Sequence, residues 1–190
     1  MSKIGKLSEN HNKLLISLAE DDESAFEKLY YMYYDRLFRF AIHIVKNEMS
    51  GEEVVSDVFF NIWQNRKKLP SIADLDAYLY KSVKNMALNY LDKENRRPEF
   101  EELSVSIEYV ADDRNPEDIT IYDELNRILT ETVESLPDRC RIIFKLARED
   151  GFKYREISEI LGISVKTIDA QMSIAKQKIE EVIKKWRHEP

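Results

Sequence analysis

The 190-residue chain is 43% apolar with a net charge of −7, which suits one moderate core or two small ones of about 100 residues or fewer each. Four glycines are few for a β-rich or dinucleotide-binding sheet, and apolar residues recur at three and four rather than at two, so an all-α fold is predicted. No run of ~18 apolar residues could cross a membrane, and residues 1–14 hold no apolar secretory core, so a soluble, cytoplasmic protein without membrane insertion is expected.

The charge is uneven along the chain. Residues 1–97 are net 0, residues 98–124 net −9, and residues 125–190 net +2. The deficit lies in the middle, so DNA binding would rest on local patches, and affinity for bare duplex would be weak and salt-sensitive.

In chain order, Phe26, Leu29, Tyr30, Tyr33, Leu37, Phe40, Ala41 and Ile44 keep a helical stripe behind the acidic cluster of residues 20–23. That pattern predicts one core-facing helix or a bent pair. The stripe repeats from Glu52 to Gln64 with Val55, Val58, Phe59 and Ile62 inside, leaving Glu53, Ser56, Asp57 and Asn61 outside. The basic run NRKKL closes this helix and Pro70 is expected to stop it.

A third long helix is predicted from about Asp74 to Asn95, with Leu75, Tyr78, Leu79, Val83, Met86, Ala87 and Tyr90 mostly on one side. Its other side carries Lys81, Lys84, Asn85, Asn89 and Lys93. A basic, amide-bearing face interleaved with tyrosines suits phosphate contact and base stacking, while a merely solvated helix would present the same lysines.

From Pro98 to about Arg114 periodicity fades and acids dominate, which predicts a flexible, self-repelling linker. Helix restarts with Asn115 as cap and Pro116 in the first turn, its inner face being Ile121, Leu125, Ile128, Leu129 and Leu136. The next stripe is Ile142, Ile143, Leu146 and Ala147. The single Cys140 is read as a small core residue.

The stretch from Tyr154 to Trp186 specifies a job. Tyr154, Ile157, Ile160 and Leu161 form a short stripe, Gly162 breaks it, Ser164 caps, and Val165, Ile168, Met172, Ala175 and Ile179 form a second stripe. Two helices joined by a tight glycine turn are a helix-turn-helix, whose second helix enters a DNA major groove. With that stripe inward, Lys166, Ala170, Ser173, Ile174 and Gln177 point outward and Thr167 lies at the edge. Lys166 suits guanine or phosphate, Ser173 and Gln177 base edges, and Ala170 with Ile174 thymine methyls. Lys176, Lys178, Lys184, Lys185 and Arg187 would track the backbone, unless pairing with Glu180 and Glu181 occupies them. Asp169 is expected to face the first helix or a protein partner.

Catalysis is not expected. His11, His43 and His188 lie far apart with no ligand-spaced partner, no glycine-rich phosphate loop is present, and no cofactor, metal or small-molecule substrate is implied.

The blocks DDESAFEKLYYMYYDRLFRFAIHIV, GEEVVSDVFFNIW, DLDAYLYKSVKNMALNYLDKENRR and LPDRCRIIFKLAREDGFKYREISEILGISVKTIDAQMSIAKQKI stand in this order. On them the chain, from about Lys13 to Trp186, resembles the extracytoplasmic-function (ECF) sigma factors of the sigma-70 family. The resemblance implies two small helical domains, residues 1–97 binding core RNA polymerase and the −10 element and residues 115–190 the −35 element, joined by an acidic linker over residues 98–114. It implies polymerase contact through Glu53, Ser56, Asp57 and Asn61, although the family usually has an amide where this chain has Ser56. It places capture of a flipped −10 base at Lys67, Lys68 and Ser71, with Tyr78, Lys81, Asn85 and Asn89 on the following helix. The recognition residues would be Lys166, Thr167, Ala170, Ser173, Ile174 and Gln177. The family often has arginine near the middle of this helix where the chain has Gln171 and Ser173, so the bases read do not transfer. The implied partners are core RNA polymerase, promoter DNA and an anti-sigma factor. The alternative is a LuxR-type regulator, suggested by LGISVKTI, which would need a sensing domain in front.

Overall fold

The computed structural model describes residues 12–94 and 121–188, the side chains of 121–123 and 188 excepted. Among the described residues every regular element is helical. The acidic linker of residues 98–114 and the helix start at Asn115 and Pro116 lie outside them. The chain divides into two compact units.

The first unit holds α1 (residues 12–19), α2 (Glu23–Val45), α3 (Glu48–Gln64), a 3-10 turn (Arg66–Ser71) and α4 (Leu75–Lys93). Leu15 and Leu18 are buried in α1, and Asp21 follows in the left-handed region at φ 68°. Asp22 then caps α2, its carboxylate accepting from the Ser24 and Ala25 N–H groups at 2.9 and 3.3 Å. A hydrogen bond from the Ser24 side chain foremost, then those from the Ala25 and Ser24 N–H groups, hold its carboxyl below the usual range.

Between the two expectations for residues 26–44, the structure takes the single helix. α2 runs unbroken to Val45 and ends on Lys46, left-handed at φ 60°, whose N–H returns to the Ile42 carbonyl at 2.8 Å. Asn47 caps α3, accepting from Ser50 N–H at 3.0 Å. α3 therefore begins at Glu48, a turn earlier than the stripe from Glu52 suggests.

Its end lies at the expected residue but has another cause. α3 stops at Gln64, and Pro70 sits inside the following 3-10 turn instead of halting the helix itself. Leu69, fully buried, anchors this turn.

Helices α2, α3 and α4 pack mutually around Leu29, Leu37, Ala41, Val55, Val58, Leu79, Val83 and Ala87. Gly51 permits the close approach of α3 to α2: a Cβ there would lie 2.9 Å from Ile42 Cγ1 and 3.4 Å from the Phe38 ring. In α4 the inward residues are Leu75, Leu79, Tyr80, Val83, Ala87 and Leu91. Tyr78, Met86 and Tyr90, expected inside, are only half-buried. Tyr80 belongs inside because its ring meets Phe40 at 5.0 Å, and the Arg36 guanidinium lies over both Tyr80 and Tyr33 at 5.8 and 5.9 Å.

Further along the chain come α5 (Ile121–Glu134), α6 (Asp138–Arg148), α7 (Tyr154–Leu161) and α8 (Val165–His188), of which α5, α6 and α8 lie wholly in the second unit. α8 packs on α5 and α6, where Leu136, Cys140 and Ala175 form a core flanked by Val133 and Phe144. A polar corner joins α5 to α6. Buried Arg141 binds Asp138 and the Glu134 carbonyl, its Nε lies 3.8 Å from the Glu134 carboxylate, and Lys145 reaches that carboxylate at 2.6 Å.

Candidate polymerase and nucleic-acid interfaces

The outer face of α3 is built by rotation. Five apolar residues, Val54, Val55, Val58, Phe59 and Ile62, turn inward. Glu53, Ser56, Asp57 and Asn61 fall at helical offsets of three and four on the opposite side, and all four are exposed. Phe60 lies among them, 60% exposed. Sequence reasoning passed over it, although the signal was present: adjacent Phe59 and Phe60 differ by about 100° of rotation, so burying one exposes the other. An exposed aromatic ringed by acids and an amide fits a protein partner better than solvent.

The 3-10 turn and α4 form a second face. Lys67, Lys68 and Ser71 are exposed, and the Ser71 hydroxyl donates to the Lys68 carbonyl at 2.7 Å, tightening the turn. On α4, half-buried Tyr78 and exposed Lys81, Asn85 and Asn89 follow one line along the helix, covering about 16 Å by helical rise. Half-buried Lys84 lies beside that line. Burial first, then the charge of Lys81, pushes its ammonium pKa down.

Arg66, which sequence reasoning left unused, sits at the start of this face. Its Nε binds Asp21 at 2.5 Å, one terminal nitrogen donates to the Trp63 carbonyl at 2.7 Å, and its guanidinium lies 4.4 Å from the Trp63 ring centre. No sequence spacing announces a partner 45 residues away.

The third face belongs to the helix-turn-helix. Lys153 N–H donates to Glu156 at 2.7 Å at the start of α7. Gly162, left-handed at φ 74°, closes α7. The Ser158 hydroxyl donates to the Ile163 carbonyl at 2.6 Å, which fixes the turn, and Ser164 Oγ accepts from Thr167 N–H at 3.0 Å to open α8.

On α8, Ile168, Met172 and Ala175 are buried, and Lys166, Ala170, Ser173, Ile174 and Gln177 are exposed, with Thr167 at the edge. Val165, expected inside, is 42% exposed. As the first helical residue its side chain leans past the helix end, off the packed stripe. Of the two places expected for Asp169, it is not buried against the first helix but exposed, as a residue facing a partner would be. Several polar groups already hold local partners: the Thr167 and Ser164 hydroxyls share a 2.8 Å hydrogen bond, Ser173 donates to the Asp169 carbonyl at 2.9 Å, and Gln177 donates to Glu181 at 3.1 Å. Lys178 is drawn to the Ser135 carbonyl at 2.9 Å, which removes it from the basic row expected to follow a backbone. Lys176, Lys184, Lys185 and Arg187 remain exposed.

Among the described residues no helix is long and apolar enough to cross a membrane. Residues 29–97 match the family described as Sigma-70 region 2 and residues 126–179 that described as Sigma-70, region 4. The chain is 26% identical over 179 residues to the ECF RNA polymerase sigma-E factor of Escherichia coli (strain K12), covering 90% of this chain and 92% of that one. It is 22% identical over 181 residues to the ECF RNA polymerase sigma factor SigW of Bacillus subtilis (strain 168), covering 90% and 96%. Among solved structures the fold resembles CnrH in complex with the cytosolic domain of CnrY, at a TM-score of 0.56 and 20% identity over 91% of this chain and 96% of that one. It also resembles the sigma factor RpoE in complex with the anti-sigma factor NepR from Bartonella quintana, at 0.56 and 22% over 84% and 96%.

Proposed function

The chain belongs to the sigma-70 family as an ECF RNA polymerase sigma factor, and from that premise we propose how its two units divide promoter recognition. Residues 1–97 dock on core polymerase and hold the −10 element, residues 98–114 link, and residues 115–190 read the −35 element. The observation that carries this reading is the order of the two family matches, the first over the unit with the α3 and α4 faces and the second over the unit that ends in α8.

Core polymerase is met through Glu53, Ser56, Asp57 and Asn61. Phe60, at the centre of their face, is the apolar anchor, since a buried aromatic within a polar ring is where interface energy concentrates. The separated −10 strand passes over Lys67, Lys68 and Ser71 and along Tyr78, Lys81, Asn85 and Asn89: the lysines meet phosphates, the amides meet base edges and the tyrosine receives a ring. Upstream, Lys166, Thr167, Ala170, Ser173, Ile174 and Gln177 read the major groove.

Catalysis belongs to the core enzyme in this scheme and the sigma chain supplies recognition alone, in the cytoplasm where the polymerase works. An anti-sigma factor is the expected regulator, supported by the similar fold that was solved with the anti-sigma factor NepR. A LuxR-type regulator is not favoured, because residues 29–97 match a sigma region where such a protein would carry its sensor.

The testing experiment mixes the purified chain with core RNA polymerase and follows co-elution and promoter-specific transcription. Both are expected. Stable duplex binding by a free dimer with no polymerase association would overturn the proposal. Replacing Lys166 and Gln177 by alanine should weaken promoters that depend on the upstream element while core binding persists.

A further inference from the structure

Residues 66–71 start with no side-chain cap from Asn65, yet this turn must present Lys67 and Lys68 outward at a fixed angle if it is to hold a strand. Two side chains root it. Leu69 is buried beneath the turn, and Arg66 is fastened to three groups: the Asp21 carboxylate, the Trp63 carbonyl and the face of the Trp63 ring. The ring that Arg66 covers is itself held edge-on by Phe26 of α2 at 5.2 Å. Asp21 is fixed in turn by its left-handed backbone and by its N–H bonding the Leu18 carbonyl at 3.2 Å. The guanidinium thus ties the turn between α1 and α2 to the end of α3.

We infer that Arg66 is a positioning residue for promoter melting: it holds the turn of residues 67–71 in strand-receiving geometry through Asp21 and Trp63, and does not itself touch DNA. The inference rests on the reading of that turn as part of the −10 site. An isolated surface ion pair contributes little. The Asp21 carboxylate is 57% exposed, but Arg66 is largely covered, and its planar guanidinium satisfies a carboxylate, a carbonyl and a ring together, which lysine cannot do.

The experiment uses the full chain assembled with core polymerase. The probe is a bubble duplex carrying a promoter selected by the unaltered holoenzyme from a randomised pool. Arg66→Ala should lower bubble affinity about tenfold and Asp21→Asn about threefold, core affinity changing less than about twofold in each. Asparagine keeps the left-handed preference at position 21, so only the charge is removed. The double variant should be no worse than Arg66→Ala alone, because the two residues act as one unit. Arg66→Lys should restore less than half of the lost binding energy.

Tighter bubble binding by Asp21→Asn would overturn the inference, since a freed guanidinium reaching phosphate is a direct contact. Unchanged bubble binding by Arg66→Ala would overturn it as well, as would loss of core and bubble affinity in parallel with the melting temperature, the mark of a purely structural role. Failure of the underlying reading looks different: the unaltered chain would not bind core, or Lys67→Ala with Lys68→Ala would leave bubble affinity untouched.

Discussion

The Cys140 thiol donates a 3.2 Å hydrogen bond to the Gln171 carbonyl, stitching α6 to the second turn of α8. The helix proposed to read the −35 element is therefore held from behind by a small buried sulfur. Cys140→Ala should cost about 1 to 2 kcal/mol in urea unfolding, through the lost hydrogen bond and the small void. Burial pushes this thiol above its usual 9.0. The folded state then keeps a proton that the unfolded chain gives up, so the group's share of stability is fully present below pH 9.0 and is lost as the pH rises through the folded-state value. The difference in unfolding midpoint between Cys140→Ala and the unaltered chain should narrow above that pH.

Phe60 tests the polymerase face. Its ring is more than half exposed, so Phe60→Ala should leave the melting temperature nearly unchanged, within about 0.5 kcal/mol. Core polymerase affinity, measured by fluorescence titration, should fall about tenfold or more. Equal core affinity would remove Phe60 from the interface.

Gly51 sets the spacing beneath that face. A leucine there meets Ile42 and Phe38 in space that a single Cβ already overfills. Gly51→Leu should destabilise the first unit by about 1 to 3 kcal/mol through overpacking. Thermal unfolding followed by circular dichroism checks it, with the second unit's transition as an internal control.

Ile174 tests the upstream face. It stands 46% exposed on the outer side of α8, where an apolar group has use against a thymine methyl. Ile174→Ala should relax the preference for thymine at one −35 position by about 1 to 3 kcal/mol. Selection from promoters randomised in that element reads this out, and an unchanged preference would assign the contact elsewhere.

The helices and the turn at Gly162 were legible because an apolar period of 3.6 and a glycine cap are local properties. What escaped depended on partners distant in sequence. In α4 the sequence supports two overlapping stripes, and Tyr80 wins over Tyr78 because Phe40 and Arg36 on α2 receive its ring. Val165 fits its stripe by angle but stands at a helix start with no preceding turn to pack behind. Lys178 looked like one lysine of a basic row until the Ser135 carbonyl claimed it. The outward positions chosen on α3, α4 and α8 are exposed, or half-buried at Tyr78, Lys84, Thr167 and Lys178, since opposite faces follow from the same rotation. Arg66 was invisible, because nothing near it in sequence marks Asp21 as its counterpart.

The polar corner of Arg141, Asp138, Glu134 and Lys145 also restricts how this chain can vary through descent. Losing Arg141 alone leaves the buried Asp138 carboxylate beside a missing cation, a change that costs several kcal/mol, about 3 to 5 in comparable pairs, whereas replacing the set together by apolar residues is far better tolerated. Substitutions at these four positions should thus arrive as a group, and related chains should carry either the whole ionic corner or a wholly apolar one.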